Sequence, residues 1–314
     1  MNPPYTTGLH QVGAGVWAWL QPDGSWGWSN AGLVADQDTG ASLLVDTLFD
    51  LQLTARMLEA MRATVPAAAA IGTVVNTHAN GDHTFGNQLL AGARILASRR
   101  CLEEMADAPP ELLARMMRSA PDLGRTGEYL QRIFGPFQFE GITLTLPTDA
   151  FDGELTVMIG ERRVLLHEVG PAHTRGDVLV EVPDQRVVFT GDICFVGGHP
   201  IMWSGPVGNW IAALDRILAM DVDVVVPGHG PVSDKAAVAE LKAYFEYLRA
   251  QTRARFEAGM SPMEAAKDIE LDGFGAWTEA ERMVVNVTSI YRELGAEIPA
   301  DALTLFTQMA ELAP

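Results

Sequence analysis

The apolar run Ile71–Val75 stops abruptly at Asn76-Thr77-His78-Ala79-Asn80-Gly81-Asp82-His83, and this junction constrains the fold more than any other stretch. A strand that runs into a polar, histidine-rich loop is how α/β proteins place chemistry at a sheet edge. The same kind of junction recurs. His173 sits in Gly170-Pro171-Ala172-His173-Thr174, Asp192 follows the strand-like Val187–Thr190, and His229 sits in Pro227-Gly228-His229-Gly230 after Val222–Val226. Four of the seven histidines thus stand beside glycine or at a predicted strand end. Imidazole and carboxylate together suit zinc, and also iron or manganese. Taken singly, each has a plainer structural reading; Asp82, for one, could cap a helix over Thr84–Leu90.

The intervening sequence alternates between two periods. Gly15–Leu20, Ala31–Ala35 and Ser42–Asp46 read as strands, followed by Leu51, Ala55, Leu58 and Met61 at helical spacing. After a strand at Ala93–Ala97, Arg99 to about Phe134 reads as helix broken at Pro109-Pro110 and Pro121. Strands return at Ile142–Leu146, Leu155–Ile159, Arg163–Glu168, Val178–Val182 and Arg186–Thr190, and the chain from Ser233 reads as largely helical. This double alternation predicts an α/β protein with two sheets and helices outside. One catalytic core is expected over 1–232, including a helical insertion at about 99–134, with a helical extension over 233–314 packed on it. Leu241, Tyr244, Phe245 and Leu248 in that extension suit either the core or a homodimer face.

Composition narrows the function classes. With 48% hydrophobic and 20% charged residues the chain can bury a large core and is not composed like a disordered one. Its 22 basic and 40 acidic side chains give a formal charge of −18, which disfavours nucleic acid and anionic membrane as partners. No stretch approaches the roughly 20 apolar residues of a membrane span, and Met1–Leu20 has no basic segment leading an apolar run. Two cysteines, Cys101 and Cys194, suit a reducing compartment, so the expected location is cytoplasmic.

Thr77–His83, with His173, Asp192 in Thr190-Gly191-Asp192 and His229 in Pro227-Gly228-His229-Gly230, resembles the metallo-β-lactamase superfamily, whose pattern is HxHxDH followed by a His, an Asp and a His. The resemblance covers roughly residues 10 to 232. It implies a four-layer αββα sandwich with two zinc ions at the sheet edges. Carried over by position, one ion would take His78, His173 and bridging Asp192, and the other Asp82, His83, Asp192 and His229. Asn80 stands where the family has its second histidine. It would coordinate through its oxygen, hold a water, leave the first site weak, or merely shape the loop.

The resemblance further implies hydrolysis of an activated acyl group, with Asp82 as the catalytic residue that orients the nucleophile and moves its proton. Trp26, Trp28, Met202 and Trp203 are the expected substrate walls, favouring a flat apolar substrate, with core packing as the alternative; His199 is a lesser candidate acid or base. HxNGDH and Pro200-Ile201-Met202-Trp203-Ser204-Gly205-Pro206 are similar to the cyclases and thioesterases of aromatic polyketide biosynthesis. That branch implies aldol ring closure and thioester hydrolysis on a substrate borne by a carrier protein, itself acidic and so ill matched to a chain at −18 unless a local basic patch such as Arg94, Arg99 and Arg100 or Arg115 and Arg118 meets it. Lactonase, β-lactamase and glyoxalase-type thioesterase are the competing enzymes. A metal-poor protein that binds a small molecule is the competing class.

Overall fold

The computed structural model describes residues 2–90, 92–299 and 301–314. Seven strands form the first sheet in sequence order: β1 (Gly8–Gly13), β2 (Val16–Leu20), β3 (Ala31–Ala35), β4 (Ser42–Val45), β5 (Thr73–Val75), β6 (Arg94–Ser98) and β7 (Asp149–Phe151). β1 to β4 pair antiparallel, and β4 to β7 pair parallel. The second sheet holds β8 (Glu154–Ile159), β9 (Arg162–Glu168), β10 (Val178–Val182), β11 (Val187–Phe189) and β12 (Val224–Val226), antiparallel except for the parallel β11–β12 pair.

The two sheets pack face to face, and side-chain alternation explains why. Val16, Ala18 and Leu20 of β2 meet Val178, Val180 and Val182 of β10 in one buried cluster, while Trp17 and Trp19 point the other way. At Gly32 the sheets approach so closely that a β-carbon would collide with the Phe189 ring.

Helices cover both outer faces. α1 (Leu51–Thr64) lays Met57, Leu58 and Met61 on Trp17, Trp19, Leu33 and Leu44. Its buried stripe is Thr54, Met57, Leu58 and Met61, so of the expected face Ala55 is exposed. The turn α2 (Gly81–Thr84) follows β5, and α3 (Arg99–Asp107), α4 (Pro110–Ser119) and α5 (Gly124–Phe134) follow β6, interrupted at the prolines. On the second sheet, α6 (Val207–Ala219) and α7 (Lys235–Glu257) cover Leu179, Val188 and Val225. α8 (Pro262–Asp268), α9 (Met283–Glu293) and α10 (Ala302–Leu312) complete this αββα sandwich. Leu241, Tyr244, Phe245 and Leu248 are buried within the chain, with the Phe245 ring 4.5 Å from that of Trp210.

Three local expectations need correction. Ile142–Leu146 forms no strand, and the sheet edge is instead the polar-led β7. β1, a half-buried edge strand with two glycines, lies wholly before the first expected strand. Asp82 does not cap a helix: Asn80 holds the N-cap position of α2, and Asp82 lies inside the turn. Among the described residues, no helix is long and apolar enough to cross a membrane.

Candidate metal centre

β5, β11 and β12 end at the same edge of the sandwich as the loop between β9 and β10, and this brings the candidate ligands together. His78, His83, His173, Asp192 and His229 are all buried, and Asp82 is 8% exposed. Asp192 is the hub. Its Oδ1 lies 3.1 Å from Nε2 of His83, and its Oδ2 lies 3.3 Å from Nε2 of His229, 3.4 Å from that of His173 and 3.8 Å from that of His78. Asp82 Oδ2 is 3.3 Å from His229 Nε2. Gly228 lets its loop close over this hub, since a β-carbon there would collide with Oδ1 of Asp192.

All four imidazoles present Nε2 inward because Nδ1 is tied to the surrounding protein. Nδ1–H of His173 donates to the Ile201 carbonyl at 2.6 Å, and that of His229 to the Gly24 carbonyl at 3.0 Å. His83 donates to Oδ2 of Asp46 at 3.0 Å. His78 donates to Thr77 Oγ1 at 3.0 Å, whose own hydrogen goes to Asp46 at 2.7 Å. Such outward bonds fix the tautomer and ring orientation of metal-binding histidines.

The cluster has the marks of a cation site. Nε2 of His78 is buried without a hydrogen-bond partner, and Nε2 of His83, its ring hydrogen committed to Asp46, faces Oδ1 of Asp192 at 3.1 Å with no hydrogen bond between them, an arrangement buried polar atoms rarely keep unless an ion or water meets them. His78, His83 and Asp192 offer ligand atoms within 4.8 Å of one another, as do Asp82, His83 and His229. The first group pairs His78 with His83, whereas the family pattern pairs it with His173. The donor set of imidazole nitrogen and carboxylate oxygen fits zinc, iron or manganese. Asn80 stands beside it, its amide nitrogen 3.2 Å from His173 Nε2; turned end for end, the amide would offer its oxygen there.

The charges are strongly interdependent. Burial opposes a charge on Asp192, yet His229, His83, His78 and His173 hold its carboxyl well below the usual range. Burial likewise opposes a charged His229, but Asp192 and Asp82 raise it to about 9, and the carboxylates around His83 raise that ring too. Burial keeps His78 and His173 low. A divalent cation held by these side chains would supply the positive charge that their buried carboxylates call for.

A cavity of about 280 Å³ opens onto Asn80, Asp82, Asp192 and His229. Its walls are largely apolar and carry seven aromatic rings, those of Trp26, Phe49, Phe85, Phe134, Phe195, Trp203 and Phe306, with Leu112 and Leu113 of α4. Trp26 and Trp203 thus face it, whereas the other two expected wall residues, Met202 and Trp28, do not, and neither does His199. Met202 lies between Ile201 and Trp203, which both line the cavity, and its own side chain turns into the core while its backbone bonds Asn286 and Ser289. Trp28 packs on Phe137 outside the cavity. His199 is buried beneath the helical tail between Tyr244 and Trp277, so it cannot reach a substrate as acid or base.

Several contributors had no sequence candidate. Asp46 has one discernible signal, as it ends the strand-like Ser42–Asp46 as the other acidic groups end theirs. Phe306 and Arg282 come from the helical tail, where nothing in the sequence separates a cavity wall from ordinary core.

A sequence profile described as the metallo-beta-lactamase superfamily matches residues 24–229. Among curated proteins, the linear primary-alkylsulfatase of Pseudomonas sp. (strain ATCC 19151) is 29% identical over 150 residues, covering 44% of this chain and 28% of that protein. Among solved structures, a stereoselective inverting sec-alkylsulfatase from Pseudomonas sp. superposes with a TM-score of 0.70 at 16% identity, over 98% of this chain and 52% of that one. A metallo-beta-lactamase from Pontibacter korlensis superposes with a TM-score of 0.57 at 17% identity, over 77% of this chain and 99% of that one. The chain thus spans about half the length of the alkylsulfatase structure it resembles.

Proposed function

The chain belongs to the metallo-β-lactamase superfamily, and on that premise we propose that it is a metal-dependent hydrolase that cleaves an ester of a bulky apolar compound. The observation that carries this reading is the aromatic cavity whose polar end is the His/Asp cluster. In it the apolar body of a substrate sits among Trp26, Phe134, Trp203 and Phe306, with the bond to be cut beside Asp82 and Asp192.

His78, His173 and Asp192, with Asn80 in place of a fourth ligand, are assigned to one cation; Asp82, His83, Asp192 and His229 are assigned to the other. Zinc is the first choice. Bound there, divalent cations supply a Lewis acid for the scissile group and lower the pKa of water. The protein supplies orientation and proton handling. Asp46 and Thr77 hold His83 and His78 in place, and the Asp82 carboxylate, which lines the cavity, accepts the proton of the attacking water. The aromatic walls exclude bulk water, which strengthens each electrostatic contact at the polar end.

Of the esters that fit, the sulfate ester of an apolar alcohol is supported by the similarity to alkylsulfatases. The polyketide thioesterase or cyclase is the second reading, favoured by the aromatic character of the walls. Assay of the zinc-loaded protein on 2-naphthyl sulfate, 2-naphthyl acetate, an aryl thioester, a lactone and a β-lactam separates them. Turnover of the sulfate ester above the others, lost in Asp82→Ala, is expected. Turnover of the thioester alone would move the assignment to the second reading, and turnover of none would remove the hydrolase.

A further inference from the structure

Arg282 ends the short 3-10 turn Ala280–Arg282 ahead of α9, beyond the segment that matches the superfamily profile. Its side chain is buried, and it is the only lysine or arginine among the described residues that line the cavity. Its guanidinium carbon stands 4.4 Å from the centre of the Trp26 ring and 5.5 Å from that of Phe195. Phe195 in turn stacks on His229, with ring centres 5.1 Å apart and planes at 2°. One aromatic ring therefore separates this cation from the candidate metal centre.

The cation is under-satisfied. A guanidinium carries five N–H donors; here Nη1–H donates to the His199 carbonyl at 2.8 Å, and Nε–H is buried without an acceptor. The nearest carboxylate, Glu279, stands 3.6 Å from Nη1, and its Oε2 already accepts from Thr278 at 2.7 Å. Two aromatic faces offset part of the cost of burying the charge. A buried guanidinium with spare donors and a loose counterion is nonetheless costly to keep for packing alone.

We infer that Arg282 binds an anionic group of the substrate, so that the cavity selects apolar compounds carrying a sulfate or carboxylate over neutral ones. The inference rests on the reading of this cavity as the substrate site. It gives the helical tail a function, since the tail delivers the one cation that the ββ core does not bring to the cavity. An anion entering here faces Glu104, Asp82 and Asp192 as well. Arg282 and the cations bound by the cluster together make its entry favourable.

The test is calorimetric titration of the zinc-loaded protein with three ligands that cannot be hydrolysed: 2-naphthalenesulfonate, 2-naphthoate and neutral 2-naphthol. The expected result is tighter binding of at least one anion than of 2-naphthol, with Arg282→Met weakening that anion about tenfold or more and leaving 2-naphthol within about twofold. The sulfonate and carboxylate arms tell which anion the site prefers. Equal affinity for all three in the wild type, or an equal loss for all three in Arg282→Met, overturns the inference. Should Arg282→Met fail to fold, Arg282→Lys keeps the charge but not the fork of donors, and must weaken the preferred anion selectively. Arg282-dependent binding without any turnover of 2-naphthyl sulfate would sink the sulfate-ester reading and leave the anion site standing.

Discussion

Oδ2 of Asp46 lies 3.0 Å from Nδ1 of His83, and through Thr77 the same carboxylate also orients His78. Asp46 touches neither the cavity nor the inward-facing Nε2 atoms, so its contribution is to aim two rings. Asp46→Asn, which keeps the side-chain shape and tolerates the backbone φ of 61°, is expected to lower zinc affinity about 10- to 100-fold. Competition with a chromophoric chelator measures this, and unchanged affinity would show that the two histidines hold their orientation without it.

Asn80 stands where a histidine would complete the family's ligand pattern, within 3.2 Å of His173. Asn80→His adds an imidazole nitrogen in place of an amide, a stronger donor for zinc. The weaker of two zinc equivalents should tighten about tenfold or more, as 1.4 kcal/mol of added ligand strength would give. Stepwise titration followed by metal analysis reads the result; two equivalents of unaltered affinity would mean that residue 80 is not a ligand position.

Gly32 faces the Phe189 ring across the inter-sheet core, with no room for a β-carbon. Gly32→Ala should therefore overpack the sandwich and cost about 1–3 kcal/mol in urea unfolding. A neutral substitution would mean that the sheets separate more readily than their packing implies.

His199 supplies a pH effect on stability away from the metal centre. Burial, reinforced by Arg282, depresses its pKa to about 4. In the unfolded chain it titrates near its ordinary value of about 6.5. Between these values the unfolded state binds a proton that the folded state refuses, so stability falls as pH drops from about 6.5 to 4 and is untouched above. The loss reaches up to about 3 kcal/mol. His199→Phe removes this term while keeping an aromatic ring against Tyr244 and Trp277. Denaturant unfolding at pH 7 and pH 4.5 should show a smaller drop for the variant; equal drops would refute the assignment.

The sandwich was legible because its strands are short apolar runs bounded by turn formers, as in Val16–Leu20 and Val178–Val182, which lie buried between the facing sheet and the outer helices. Edges were less so: β7 is three residues with a polar start, and the apolar Ile142–Leu146 finds no partner, since pairing depends on neighbours that a local pattern does not contain. The histidines and carboxylates of the site were readable from their strand-end positions. Its walls were only partly so. Trp26 and Trp203 face the cavity, but in one loop Met202 faces away, an alternation fixed by backbone bonds to α9. Phe306 and Arg282 reach the cavity only through the packing of the tail, a long-range outcome with no local mark.

The most direct test of the metal centre is elemental analysis of the wild type and His83→Ala, both purified without chelator and checked for folding by circular dichroism. His83 Nε2 belongs to both groups of clustered ligand atoms, so its loss should empty the site. The expected result is at least one equivalent of zinc, iron or manganese in the wild type, and near none in the folded variant. A wild type free of metal, or a variant that keeps its full metal content, would contradict the assignment of this His/Asp cluster as the metal centre.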